Sequence, residues 1–257
     1  MHNLQSFQNI SGFSNTNAVE AVVTLQSYIK SLSGLVAYYP MDETSGTTAV
    51  NQAPDTLGTL DGTITGATIN QAGQSGASYS FDGVNDDVLT GYGPTILSTD
   101  DFSILFLAKI SSTGNTGGYI TLVGAKNTGA GATELVVFIN NVVDSGLAGT
   151  YMIGSGGGDI YVNLGSGTDY RDDLWHLWSF VKTGTSGSLF IDTTTIGTDG
   201  DISATITLGA RYFALGARNS TGTIDRYVKT DMQHVSFYNR VVTASERLII
   251  LQRAGLA

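Results

Sequence analysis

The chain has 257 residues, 41% of them hydrophobic and 13% charged, with 33 glycines, 3 prolines and no cysteine. Such a balance builds a core from many short segments punctuated by glycine instead of leaving the chain disordered, and the missing cysteines exclude disulfides and thiolate chemistry. The formal charge of −10 repels phosphate backbones and anionic lipid alike, which excludes nucleic acid as a partner. No run approaches the ~18 apolar residues of a membrane span, so no membrane insertion is expected.

Residues 1–16 are polar and aperiodic, an arm that orders only against something else. From Asn17 the pattern changes: Ala18, Val22, Leu25, Ile29 and Leu32 recur four, three, four and three residues apart, which places one apolar stripe along a helix. A helix of about fifteen residues is marginal alone in water. Its stripe is therefore buried either on the chain's own body or in a heptad seam with other copies, and the spacing leaves both open. Residues 1–33 are assigned to attachment and oligomerisation, with these five side chains as the seam, and residues 34–257 to the main domain.

After Gly34 the period falls to two. Leu35–Tyr39, Ser103–Ala108, Glu134–Ile139, Trp175–Val181 and Ser188–Ile191 are rich in β-branched and aromatic residues, as strands are. Glycine clusters between them supply turns. Thr243 followed by Glu246 and closed by Gly255 predicts a short C-terminal helix with a capping box. The expected fold is all-β: a two-sheet antiparallel sandwich with a short helix at each end.

Several segments, in order, carry a family resemblance. Gly34–Gly46 (GLVAYYPMDETSG) with Leu60–Thr68 (LDGTITGAT), Tyr79–Val88 (YSFDGVNDDV), Asp101–Ile110, Leu174–Thr198 and Met232–Glu246 (MQHVSFYNRVVTASE) resemble the laminin G-like jelly roll of the concanavalin A-like lectin/glucanase family, over about residues 34–255. The resemblance implies a jelly-roll sandwich. It also implies a calcium site in the loop after the first strand, with Asp42 and Ser45 matching that loop and Gln233 standing where an aspartate is expected. A glutamine carbonyl can ligate calcium but brings no charge. Alternatively, Asp42 caps a turn. Trp175 and Trp178 read as mixed-face core aromatics and His176 as a hydrogen-bonded strand histidine. Arg240 is expected to pair with Asp82 or Asp86 at the corner before the last helix.

Fold does not decide function. A retaining glycosidase needs two carboxyl groups about 5 Å apart, yet Glu20, Glu43, Glu134 and Glu246, the four glutamates, are never within five residues of one another. Tyr227-Val228-Lys229 matches a lyase strand only in bare spacing. Nucleophile-elbow, zinc and Walker motifs are absent. The expectation is binding without catalysis. If sugars are bound, rim aromatics such as Tyr119, Tyr151, Tyr161, Tyr170 and Tyr212 are the kind of residue that stacks on them, though each also suits strand packing. An extracellular type of domain without a secretory leader, rich in threonine, glycine and asparagine and poor in lysine, suits a bacteriophage virion protein. A capsid decoration or fibre subunit is expected, a homo-oligomer and most simply a trimer, contacting other virion proteins and a cell-surface glycan. The alternative is a secreted or surface carbohydrate-binding module of a bacterium.

Overall fold

The computed structural model describes residues 23–115, 118–127, 133–140, 147–153, 160–163, 168–200, 205–208 and 211–257, with backbone alone at 151–153 and 160–163. The seam residues Ala18 and Val22 lie outside them.

Among the described residues two large sheets stack face to face. The eight-stranded sheet runs Thr194–Asp199, Ser186–Ile191, Trp175–Thr183, Phe102–Ile110, Lys229–Tyr238, Ala77–Asp82, Thr68–Ala72, with Leu35–Tyr39 also paired to Lys229–Tyr238. The ten-stranded sheet has Leu147–Ile153, Thr133–Asn140 and Tyr119–Asn127 at its centre, followed by Ala214–Leu215, Asp87–Leu89 and Gly62–Thr65. The hairpin of Arg218–Ser220 and Thr223–Asp225 joins the far end of Tyr119–Asn127. The five alternating runs of the sequence are all strands.

Side-chain alternation divides each strand between two environments. On Phe102–Ile110, Ile104, Phe106 and Ala108 point into the core between the sheets, where the Trp178 ring stacks on Phe106 at 6.1 Å. Leu105 and Leu107 point outward into a second core. Two helices cover that outer face: α1, Leu25–Ser31, and α2, Ala244–Ala254. Helix α2 has the capping box expected of Thr243 and Glu246 and ends on Gly255 in the left-handed region.

Helix α1 is shorter than the Asn17–Leu32 stripe, because Thr24 caps it: its side chain accepts the Ser27 amide at 3.1 Å. Leu25 and Ile29 are buried in the second core with Leu35, Tyr38, Ile250 and Leu251, and Leu32 packs at its margin. Of the two fates open to the stripe, this stretch takes the chain's own body. The Arg240 expectation is corrected. Its guanidinium meets Glu246 at 2.8 and 2.9 Å and the Ser33 carbonyl at 2.6 Å. Asp86 instead accepts the Asp82 amide at 2.9 Å, closing its own turn.

Because Ile29 is 2% exposed, Ile29→Ala should lower unfolding stability by about 2–4 kcal/mol. Chemical denaturation checks this; a change under about 0.5 kcal/mol would mean that α1 does not dock as described.

Candidate functional site

Three regions collect polar side chains, and they differ in what they leave unpaired. In the first, the loop after the first strand, Asp42 and Ser45 are exposed. Asp42 borders a cavity of about 270 Å³ between α1 and the turn 75–77, with His234 on its wall. Gln233 is fully buried, and its amide, oriented by its partners, donates to the Ala77 carbonyl (3.1 Å) and accepts the Ser75 (3.0 Å) and Gln74 (3.3 Å) amides. An oxygen already accepting two N–H groups and facing a turn is a poor cation ligand. Asp42 meets the Gln26 amide nitrogen at 3.5 Å. Among the described residues no three His, Asp or Glu side chains cluster as a metal would need. Asp42, Ser45 and Gln233 therefore do not fit calcium, and Gln233 holds the 73–77 turn. The neighbouring His234 ring is buried between the Tyr38 hydroxyl (2.6 Å to Nδ1) and the Ser75 carbonyl (3.2 Å from Nε2). A carbonyl only accepts, so Nε2 carries the proton and Nδ1 accepts from Tyr38. Burial lowers the His234 pKa and keeps the ring neutral.

The second region lies on the outer face of the ten-stranded sheet. Arg218 forks onto Asp225 (2.8 and 2.6 Å) and reaches Glu134 at 2.7 Å. Lys126 meets the other Glu134 oxygen at 3.2 Å. Gly124 permits this: a Cβ there would stand 2.6 Å from Thr121 Cγ2 and 2.7 Å from Val136 Cγ1, and Arg218 lies across the gap. The network neutralises itself and clamps the 218–225 hairpin to the sheet. On the same face, Asp87 is 4% exposed. Burial, and secondarily the charge of Asp86, push its carboxyl up to about 6.

The third region is the part of the eight-stranded sheet's outer face that the helices leave uncovered. Strand register sets Trp175 beside Lys109, Lys109 beside Asp231, Asp231 beside Ser80 and Ser80 beside Thr68. One row of side chains thus crosses five strands. Lys109 bridges it, meeting Asp231 at 2.6 Å and standing 5.7 Å from the Trp175 ring centre. Beyond Asp231 the surface sinks into a cavity of about 190 Å³ lined by Ser80, Lys109, Ser111, Asp173, Lys229 and Asp231 among others. The cavity is concave, polar and hydroxyl-rich, and the Trp175 indole lies on the far side of Lys109.

The comparisons with known proteins bear on the fold that carries these regions. A family model for the concanavalin A-like lectin/glucanases superfamily matches residues 81–246. The chain belongs to this superfamily. No curated protein sequence matches this superfamily member. Among solved structures it is similar to the ligand-binding domain of botulinum neurotoxin serotype D in complex with N-acetylneuraminic acid (TM-score 0.64, 10% identity, 89% of this chain and 52% of that one). It is also similar to the binding domain of Paraclostridial mosquitocidal protein 1 (0.62, 11%, 86% and 52%) and to Trypanosoma rangeli sialidase in complex with sialic acid (0.59, 16%, 86% and 33%). The chain thus spans about half of the first two and a third of the third, and the likeness is one of fold. The superfamily match takes in Lys109, Asp173, Lys229 and Asp231 but stops short of Asp42 and Ser45.

The sequence nominated rim tyrosines for sugar contact. Tyr170 is 8% exposed and packs edge-on to Trp178. Tyr119 meets Phe138 edge-on under the Arg226 guanidinium. Tyr212 is exposed, and the side chains of Tyr151 and Tyr161 lie outside the described residues. His176 is held between Asp192 (2.6 Å) and Asp172 (3.1 Å), as a strand histidine. The row through Lys109 and Asp231 was missed. Its signal was there in outline: in Leu105, Leu107, Lys109, Ser111 the outward positions turn from apolar to polar within one strand.

Asp87 yields a pH prediction. Its folded pKa of about 6 lies above the ordinary 3.8, so its ionisation destabilises the fold progressively as pH rises from 3.8 to about 6. Asp87→Asn should raise stability at pH 7.5 by up to about 3 kcal/mol and lose that gain below pH 3.8. Urea unfolding across pH measures it; an effect independent of pH would contradict the burial argument.

Proposed function

We propose that this chain is a non-catalytic glycan-recognition module, carried outward from a virion as a decoration or fibre subunit. The observation that carries the recognition reading is the uncovered row from Trp175 to Ser80 with the cavity beside it. Both sides of a saccharide can be met there, apolar ring faces by the indole and hydroxyls by the lysine, aspartate and serine groups. The neurotoxin serotype D domain, solved with N-acetylneuraminic acid, supports the idea that this type of sandwich serves recognition.

Support for the absence of catalysis comes from the glutamates. Glu43 accepts the Val50 amide at 2.7 Å and the Tyr79 hydroxyl. Glu134 is held by Arg218 and Lys126, and Glu246 by Arg240 and the Thr243 amide. A carboxylate so occupied is a weak acid or base toward a glycosidic oxygen. Glu20 lies outside the described residues.

The virion setting rests on composition, notably five lysines among 257 residues and no cysteine. With Leu25 and Ile29 buried in the chain's own second core, a trimer seam in this reading rests on residues before Thr24, Ala18 and Val22 included. A secreted or surface bacterial module is the alternative. One preparation of the full chain tests both parts, screened on a glycan array and sedimented to find its mass. We expect a trimer that Ala18→Glu with Val22→Glu dissociates, and retention on at least one glycan class without sugar release. Ser80→Tyr, which fills the cavity, should weaken retention at least tenfold. A monomer would favour the bacterial module, reducing-end release would make the chain an enzyme, and unchanged retention in Ser80→Tyr would remove this face from the site.

A further inference from the structure

The cavity beside the row is unequal in what it leaves unpaired. Each carboxylate on its wall has a partner: Asp231 Oδ2 meets Lys109 at 2.6 Å, and Asp173 accepts the Ser112 amide at 3.2 Å together with the Ser112 hydroxyl. The Thr230 hydroxyl donates to the Lys109 carbonyl at 3.0 Å. The donors fare differently. Among the described residues the Lys229 ammonium has no hydrogen bond and no carboxylate in direct contact; the Asp173 carboxylate feels its charge from across the cavity, and the lysine stem lies against Gly114. Among the described residues the Ser80 hydroxyl has no hydrogen-bond partner either. Ser111 accepts the Thr113 amide at 3.3 Å, and among the described residues its own O–H has no acceptor. Among the described residues Asp231 Oδ1 has no partner.

The ammonium of a half-buried lysine and two hydroxyl donors lining one small cavity are satisfied by an acceptor-rich, negatively charged group, and charge-assisted hydrogen bonds are about twice as strong as neutral ones. The remaining Asp231 oxygen can accept a hydroxyl from the same ligand. We infer that the cavity between Lys229, Ser80, Ser111 and Asp231 selects acidic saccharides, the sugar's oxyanion meeting Lys229 and a neighbouring hydroxyl meeting Asp231. This rests on the glycan-recognition reading and names its ligand class. The anion can be a carboxylate or a sulfate ester, since both present the same oxygens to an ammonium.

The test is a nuclear magnetic resonance titration of the isotope-labelled full chain with glucuronate, galacturonate and galactose 6-sulfate, each against its neutral counterpart: the two methyl esters and galactose. Resonances of Ser80, Ser111, Lys229 and Asp231 should move with an acidic sugar at least fivefold more tightly than with its neutral counterpart. Lys229→Met should erase that preference and Lys229→Arg should keep it. Preference for the uronates identifies a carboxylate ligand and preference for the sulfated galactose a sulfate ester, either of which supports the inference. Equal affinity for acidic and neutral sugars, or a preference that survives in Lys229→Met, would overturn the acidic selectivity while leaving glycan recognition standing. No movement at these residues with any acidic sugar would overturn the inference too, and an empty glycan array would remove the recognition reading beneath it.

Discussion

Strand Lys229–Tyr238 pairs with Phe102–Ile110 on one edge and divides its other edge between two partners, Ala77–Asp82 for its first half and Leu35–Tyr39 for its second. The exchange of partners takes place at a bulge. Between Gln233 and Ser236 the register slips by one residue, and His234 adopts a φ of 53°. A non-glycine residue there is strained by about 1–3 kcal/mol and persists only where its surroundings hold it. Here the holders are the Tyr38 hydroxyl, the Ser75 carbonyl and the His234 amide bonded to the Pro40 carbonyl at 3.2 Å. This junction ties the first strand of the domain to the last. It also fixes the register that turns Lys229 and Asp231 outward.

The outer face of the same sheet is divided in two. Helices α1 and α2 cover the half carrying Leu105, Leu107 and Tyr238, and apolar burial at about 25 cal/mol per Å² makes that docking favourable. Where the helices end, the outward positions become Lys109, Asp231, Ser80 and Lys229. The boundary between a second core and a polar cavity is therefore written along single strands. The chain's net charge of −10 opposes an anionic ligand at long range. Salt screens charges beyond about 10 Å at 0.1 M, whereas an ammonium in contact at about 4 Å in a partly buried site acts at a much lower effective dielectric. Contact chemistry at Lys229 prevails over the distant field.

The sandwich was legible in the sequence because each level agreed with the next: alternation at Ser103–Ala108 and Trp175–Val181, glycine turns between strands, and a Thr243–Glu246 capping box. The helix at the start was legible in type but not in extent, since a threonine inside the stripe caps it. The corner partner of Arg240 was misread because Asp82 and Asp86 suit it chemically, whereas Glu246 lies one helical turn past the corner and reaches back. The cavity residues come from three separate strands, which carry Ser80, Lys109 and the pair Lys229 and Asp231, and from the loops that hold Ser111 and Asp173. Only cross-strand register brings them together, and register is invisible to a search for local motifs. Gln233 illustrates the reverse case: matched to a ligand position by resemblance, it spends its amide on a backbone turn.

The central claim is that the uncovered outer face of the eight-stranded sheet is where ligand binds. Acetylation footprinting of the lysines, with and without a saturating glycan, tests it side chain by side chain. Lys229 and Lys109 should be protected several-fold, while Lys30 on α1 and Lys126 on the opposite sheet react unchanged. Protection of Lys126 with Lys229 still fully reactive would place the ligand on the other sheet and contradict the account.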